Sequence, residues 1–126
     1  MRIYLDKAPG YDKTNTVFPF SKSLTTYLDR NNIEWTLDPE APDLDAALLV
    51  QWATPIDSVR RLKDRGVPIV HRLDGRGRAV VKVYEMDDVN HQISQLADWS
   101  IYQSNYVQRH TTQPCQTLFG LQPPIV

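Results

Sequence analysis

Two strand-length, largely apolar segments constrain the fold of this chain more than any other feature. They cover residues 46–52 and 67–73, and each has the length of a β-strand rather than a helix. A strand without a polar side must be covered on both sides, as in a parallel sheet with helices on each face. The sequence therefore predicts an α/β fold built around these two buried strands.

Strand-like and helical segments alternate along the rest of the chain. Further strands are predicted over 2–6, 33–37 and 98–103, where β-forming residues concentrate, and a polar loop is predicted over 111–117. Apolar residues spaced three or four apart predict the core-facing sides of three helices, which are Val17, Phe20, Leu24, Tyr27 and Leu28, then Ile56, Val59 and Leu62, then Met86, Val89, Ile93, Leu96 and Ala97. This order predicts one Rossmann-like domain over residues 1–126, a doubly wound, mostly parallel sheet with helices on both faces.

The boundaries of the first two helices carry recognisable end signals. The first helix is expected to end near Asn31 and Asn32. Thr54 followed by Pro55 predicts a capping threonine and a proline in the first helical position of the second helix. Gly66 is expected to end that helix, because glycine readily adopts the left-handed conformation found after helix C-termini.

Charge and composition exclude several classes of protein. The chain has 14 Lys and Arg against 15 Asp and Glu, a net charge of −1, so bulk charge does not attract nucleic acid or acidic membranes. No apolar run approaches the roughly 18 residues of a membrane-spanning helix. Charged residues interrupt any signal-peptide core within 1–20, and the single Cys115 cannot form an internal disulfide. A cytoplasmic location is expected, with a position at the membrane periphery left open.

Ligands of doubly wound folds bind beyond the carboxyl ends of the strands. The first segment there spans 7–16, where Lys7, Lys13, Thr14 and Thr16 are candidates to hold a phosphate at a helix N-terminus. With one glycine, this segment matches neither the dinucleotide-binding nor the phosphate-loop pattern. An ordinary surface loop is the alternative. The other segments predicted at this edge are 38–45, 52–55, 74–82 and 103–105.

Asp74 and Gly75 follow the second buried run directly. A carboxylate there lies at the mouth of the predicted cleft, where it can act as an acid, a base or a partner for a cation. The alternative is a plain Asp-Gly turn, paired with Arg72 or Arg76. Arg76, Arg78 and Lys82 belong to the same segment and are candidates to hold a phosphate or an acidic acceptor group, against the alternative of a solvated loop.

The remaining chemically distinctive residues favour packing over catalysis. Trp52, at the end of a predicted strand, is a candidate to line the cleft. His71 lies within an apolar run and is predicted to be a core histidine with one nitrogen hydrogen-bonded. Three scattered histidines and one cysteine have no metal-binding spacing, so no metal site is expected. The basic residues between 60 and 65 are predicted to form a solvated helix face.

Three stretches together resemble a known family. They are 68–75 (PIVHRLDG), 90–106, which contains ADWSIYQSNY, and 119–126 (FGLQPPIV). The set is similar to the N-terminal half of the GT-B glycosyltransferases, in the large retaining family four that uses nucleotide sugars. In those proteins a strand ends in His or Asp near the catalytic centre, and an Ala-Asp, a strand and a serine-containing turn follow.

The resemblance implies roles for several residues. Asp74 is implied to lie beside the acceptor hydroxyl and the donor sugar, as a catalytic residue, and Ser104 to be a structural turn residue. The candidate substrate-binding set, taken from the predicted edge and the resemblance together, is Gly10, Lys13, Thr14, Trp52, Arg72, Gly75, Arg76 and Arg78. The family holds its nucleotide-sugar donor in a second domain, and nothing in residues 1–126 matches that domain's basic pair or its ribose-binding glutamate. No cofactor is therefore expected in this part, and the implied partner is a sugar or another hydroxyl acceptor.

The last residues sharpen this expectation. The chain stops on Pro124, Ile125 and Val126, which are apolar, so we expect a truncated N-terminal domain whose donor domain is absent. On this hypothesis the 126 residues alone do not catalyse transfer. The competing hypothesis is a stand-alone, non-enzymatic module that binds a small ligand or a partner chain, with self-association through an exposed strand edge.

Overall fold

A six-stranded parallel sheet organises the chain. A computed structural model describes residues 1–6, 17–50, 53–73, 84–102 and 116–117, and for 17–21, 84–87 and 116–117 it describes the backbone alone. The strands are β1 (Arg2–Leu5), β2 (Glu34–Thr36), β3 (Ala46–Val50), β4 (Ile69–Leu73), β5 (Trp99–Tyr102) and β6 (Gln116–Thr117). Their order across the sheet is β2-β1-β3-β4-β5-β6, and each neighbouring pair is parallel.

Three helices complete the described architecture. They are α1 (Val17–Arg30), α2 (Ile56–Asp64) and α3 (Tyr84–Leu96), and they connect β1 to β2, β3 to β4 and β4 to β5. The predicted alternation and the α/β class are thus confirmed. One prediction at the end of the chain is wrong, because Gln116 and Thr117 form a short strand beside β5 rather than loop. Residues 103–115 and 118–126 lie outside the described residues.

The strand residues alternate between two faces, and helices cover both of them. On the face that we call the front, Tyr4, Leu49 and Ile69 pack against buried residues of α2 and α3. Among the described residues, the buried front core contains Tyr4, Ala47, Leu49, Val59, Leu62, Val67, Ile69, Ile93 and Ala97. On the back face, the indole Nε1 of Trp35 donates to Oδ1 of Asp29 in α1 over 2.9 Å.

The ends of α1 and α2 lie at the predicted residues, whereas the start of α2 does not. At the end of α2, Gly66 has a φ of 75°, its N–H donates to Lys63, and the N–H of Val67 donates to Leu62. These two bonds form the motif that closes many helices, and the left-handed glycine makes it possible. The first helix ends in the same way at Asn32, which has a φ of 56°.

Two predictions about the helices are wrong, one about the buried face of α1 and one about the start of α2. Tyr27 is 60% exposed, because the buried stripe of α1 runs through Leu28 and Thr25, and Tyr27 lies about 100° around the helix from Leu28. Thr54 does not cap α2. The N-cap is Pro55, with no side-chain capping bond, so Thr54 lies one residue too early to reach the first amides of the helix.

The acidic segment 38–45 crosses from β2 to β3 without a helix. Arg65 at the end of α2 holds it through its guanidinium, which donates to the carbonyl of Pro39 over 2.9 Å and to the carbonyl of Ala41. Arg61 donates from Nε to Glu40 over 2.7 Å. The basic residues of α2 are exposed, as predicted, and two of them also fix this connection.

Candidate functional site

The candidate site lies at β1, where the order in which strands are added to the sheet changes direction. From β1 the chain goes to β2 on one side, and it returns to β3 on the other. β1 and β3 are therefore the two neighbouring strands at the switch point, and in open α/β sheets ligands bind beyond the carboxyl ends of such strands. Among the described residues, Asp6, Val50 and Thr54 lie at this edge.

Asp6 joins the two strand ends. Its Oδ2 accepts the backbone N–H of Val50 over 2.8 Å and the hydroxyl of Thr54 over 3.1 Å. Hydrogen bonds to an ionised carboxylate are among the stronger ones in proteins. The end of β1 is therefore tied both to the last residue of β3 and to the residues that lead into α2.

Thr54 and Tyr4 extend this contact into the core. Their hydroxyl oxygens lie 2.9 Å apart, and Thr54 is only 1% exposed. A carboxylate only accepts hydrogen bonds, and the single proton of Thr54 is given to Asp6, so the Tyr4 hydroxyl donates to Thr54. The direction of the chain is therefore Tyr4 to Thr54 to Asp6, and we call these three residues the switch-point chain.

Burial decides the protonation of Tyr4. It raises the pKa of the Tyr4 phenol to about 12, and the negative charge of Asp6 acts in the same direction. The phenol is therefore neutral throughout the physiological range and keeps its proton for the bond to Thr54.

A second polar contact lies under the carboxyl half of the sheet. His71 of β4 is fully buried, and its Nδ1 lies 2.9 Å from Oγ of Ser94 in α3. This confirms the prediction of a core histidine with a hydrogen-bonded nitrogen. Next to it, Leu73 and Tyr102, the last residues of β4 and β5, form a small buried cluster.

Only one of the predicted substrate-binding residues belongs to the described part of the structure. Arg72 is half-buried on β4, between Val50 and Ile101 in register, and it points to the face opposite His71. The remaining predicted site residues lie outside the described residues, and they are Gly10, Lys13, Thr14, Trp52, Asp74, Gly75, Arg76 and Arg78. Cys115 and Ser104 also lie outside them.

The switch-point chain was not predicted from the sequence. Asp6 directly follows a strand in the sequence, which is the same signal that drew attention to Asp74. The bond from Thr54 to Asp6 was not predicted, because a threonine just before a helix more often caps that helix. Tyr4 is indistinguishable from an ordinary core tyrosine until its distance to Thr54 is known.

The described residues contain no metal centre and no membrane-spanning helix. No group of three or more His, Cys, Asp or Glu comes together among them. None of the helices in the described ranges is both long and apolar enough to cross a bilayer. Two shallow surface depressions lie away from the switch point, and one of them, between α1 and the start of β2, is lined in part by Arg2 and Glu34.

The parallel sheet and its strand order define this protein as a Rossmann-like α/β domain with a switch point between β1 and β3. Beyond that class, no family model, no curated protein and no solved structure matches the chain.

Proposed function

We propose that this chain is the N-terminal, acceptor-side domain of a retaining GT-B glycosyltransferase. In its complete form, the enzyme transfers a sugar from a nucleotide-sugar donor to an acceptor hydroxyl. One observation carries the proposal. The two strands that bear the resemblance, β4 and β5, are parallel neighbours, and their last residues Leu73 and Tyr102 are partners in register. The segments that follow both strands thus start at one edge of the sheet.

The proposal assigns roles at that edge. Asp74, which follows Leu73 in the sequence, orients or polarises groups at the reacting centre. The acceptor or a phosphate is contacted by the other candidate residues, namely Gly10, Lys13, Thr14, Trp52, Arg72, Gly75, Arg76 and Arg78. The chemistry of these groups, a carboxylate with guanidinium and hydroxyl groups, suits a ligand rich in hydroxyls.

Donor binding belongs to a second domain under this proposal. The resemblance provides no nucleotide-binding residues within 1–126, and positioning of the donor supplies much of the rate of a transfer reaction. The chain alone is therefore expected to bind the acceptor without turnover.

A glycan array combined with a transfer assay tests the proposal. The chain is expected to bind one class of saccharide and to show no transfer with a panel of nucleotide sugars. Asp74→Asn should weaken saccharide binding at least fivefold. Asp64→Asn, the same change at the exposed end of α2, should leave it unchanged. Robust transfer by the chain alone, or no saccharide bound at all, would contradict the proposal.

A stand-alone binding module is the second candidate, and the switch-point chain favours it. Tyr4, Thr54 and Asp6 organise the β1–β3 edge with groups of this domain alone. A thermal-shift screen of small metabolites separates the two candidates. Stabilisation by a ligand that is not a saccharide, with none by saccharides, would favour the module.

A further inference from the structure

One side of α1 forms a shallow surface depression that combines positive charge with an aromatic ring. We call its lining the α1 outer face, which consists of five exposed residues, Lys22, Ser23, Thr26, Tyr27 and Arg30. At 100° per residue these five lie within about 140° of the helix circumference. The buried Thr25 and Leu28 lie on the opposite side of the helix. The α1 outer face therefore points away from the sheet, and none of its side chains carries negative charge.

The two cations of the α1 outer face are available to an incoming ligand. In α2, by contrast, three exposed cations pair with carboxylates of the domain itself, and these pairs are Arg60–Asp57, Arg61–Glu40 and Lys63–Asp98. Across the part of the chain that the structure describes, Lys22 and Arg30 form no such pair. An acidic ligand can therefore pair with both of them without displacing a carboxylate of this domain.

The nearest carboxylate in the sequence does not compensate this charge. Asp29 precedes Arg30, and its Oδ1 accepts the indole N–H of Trp35 in β2 over 2.9 Å. Its side chain is thus directed to the sheet side of the helix, away from the α1 outer face.

Tyr27 gives the α1 outer face an aromatic contact. It is 60% exposed, although a tyrosine ring has a large apolar surface. Tyrosine and arginine are among the residues that contribute most to binding between proteins, because each covers a large area and also forms hydrogen bonds. An exposed tyrosine beside two available cations is therefore suited to a protein ligand.

The positions of Lys22 and Arg30 define the spacing of the charges that they would bind. They are eight residues apart, which corresponds to about 12 Å along the helix axis. Helical side chains lean in one direction along the axis, so their charged ends keep about that separation. In an extended peptide, two side chains that are four residues apart lie on the same side, about 13 Å from each other.

We propose that the α1 outer face binds an extended acidic peptide segment of a partner protein. This segment carries two carboxylates four residues apart, which pair with Lys22 and Arg30, and an apolar side chain between them, which packs on Tyr27. The inference goes beyond the proposed function and does not depend on it, because α1 lies away from the carboxyl edge at which the acceptor is proposed to bind.

A phosphate group and an acidic membrane fit this face less well. A phosphate is only a few ångströms across, so it cannot contact two cations that are two helical turns apart. Helices that bind membranes insert several large apolar side chains, whereas Tyr27 is the one such side chain among the five residues of the α1 outer face. Two cations alone attract an acidic membrane weakly.

Two synthetic peptides of equal composition test the inference by amide NMR of the 126-residue chain. The spaced peptide contains Glu-Ala-Leu-Ala-Glu, and the adjacent peptide contains Glu-Glu-Leu-Ala-Ala. The backbone N–H signals of Ser23 and Thr26 are the reporters, because both residues belong to the α1 outer face. The spaced peptide should shift these signals saturably, and the adjacent peptide should bind more weakly.

A pair of double variants separates the α1 outer face from bulk charge. Lys22→Gln with Arg30→Gln should weaken binding of the spaced peptide about fivefold or more, because two exposed ion pairs are lost. The control is Arg60→Gln with Lys63→Gln, which removes the same charge from α2 and should change binding less than about twofold. Tyr27→Ser should also weaken binding, since it removes the ring that contacts the leucine.

Several results would overturn the inference. They include no saturable shift with the spaced peptide and equal affinities of the wild-type chain for the two peptides, both of which are measurable even if the variants failed to fold. Equal weakening by the two double variants would attribute binding to bulk charge. Without peptide binding, attachment to phosphatidylserine vesicles or self-association that Lys22→Gln with Arg30→Gln abolishes would assign the face to a membrane or to a second copy instead.

Discussion

The backbone N–H of Val50 donates to Oδ2 of Asp6 over 2.8 Å, across 44 residues of sequence. This bond joins the ends of β1 and β3 where the strand order reverses. The same oxygen accepts the hydroxyl of Thr54, so one carboxylate sets the relative position of two strand ends and the entry to α2.

Thr54→Val should destabilise the domain by about 1–3 kcal/mol, because it removes the acceptor of the Tyr4 hydroxyl and a donor to Asp6 at a buried position. Valine has nearly the shape of threonine, so packing changes little. The measurement is the free energy of unfolding in urea. Thr54→Ser, which keeps the hydroxyl, should lose much less. Equal stability of Thr54→Val and the wild-type chain would show that the switch-point chain contributes nothing to the fold.

The stability of the domain should fall as the pH rises from 10 to 12. The pKa of Tyr4 is about 12 in the folded state and near 10 in the unfolded state, so the folded state holds the extra proton. This contribution is fully present below pH 10 and is lost as the pH approaches 12, a change of about 2–3 kcal/mol. Urea unfolding at pH 9 and 11 measures it, and Tyr4→Phe should show a smaller decrease. An identical pH dependence of the two proteins would contradict the prediction.

Ser94→Ala should cost about 1–3 kcal/mol of unfolding free energy, because it takes the Ser94 hydroxyl from Nδ1 of a fully buried His71. The matched control is Gln95→Ala, on the next residue of α3. Its side chain is exposed and contacts His91 at the surface, so its loss should change stability by less than about 0.5 kcal/mol. If both variants were equally stable, the His71–Ser94 contact would be dispensable.

Arg65→Ala should destabilise the domain by about 1–2 kcal/mol, since it removes the hydrogen bonds that hold the segment before β3. Arg65→Lys should recover only part of the loss, because a lysine cannot reproduce the two-pronged contact. The control is Arg60→Ala, whose exposed pair with Asp57 contributes less than about 0.5 kcal/mol. Thermal unfolding of the three variants measures these differences. Similar effects of Arg65→Ala and Arg60→Ala would contradict the role given to Arg65.

The main strands and helices were predictable because the spacing of apolar residues shows which side of each segment is buried, and that spacing differs between strands and helices. The apolar runs at 46–52 and 67–73 become β3 and β4, whose ends lie within two residues of the predicted ones. The end of α2 at Gly66 was equally predictable, because a left-handed residue is needed there and glycine meets that need at no steric cost.

The site was less predictable, because it depends on contacts between residues far apart in the sequence. The sequence around Thr54 predicts a local role, the capping of α2. In the structure its hydroxyl instead bonds to Tyr4, which lies 50 residues earlier. Asp6 and Asp74 both follow strands, and only the strand order shows that the first lies at the reversal of the sheet.

The most direct test of the account maps saccharide binding onto the two edges of the sheet by amide NMR. A soluble saccharide chosen from the array should move the signals of Asp6, Val50 and Leu73 at the carboxyl edge. The signals of Glu34 and Ile69, at the amino edge, should stay in place. Movement at the amino edge alone, or no movement with any saccharide, would contradict the proposal that this domain receives an acceptor at the carboxyl edge of its sheet.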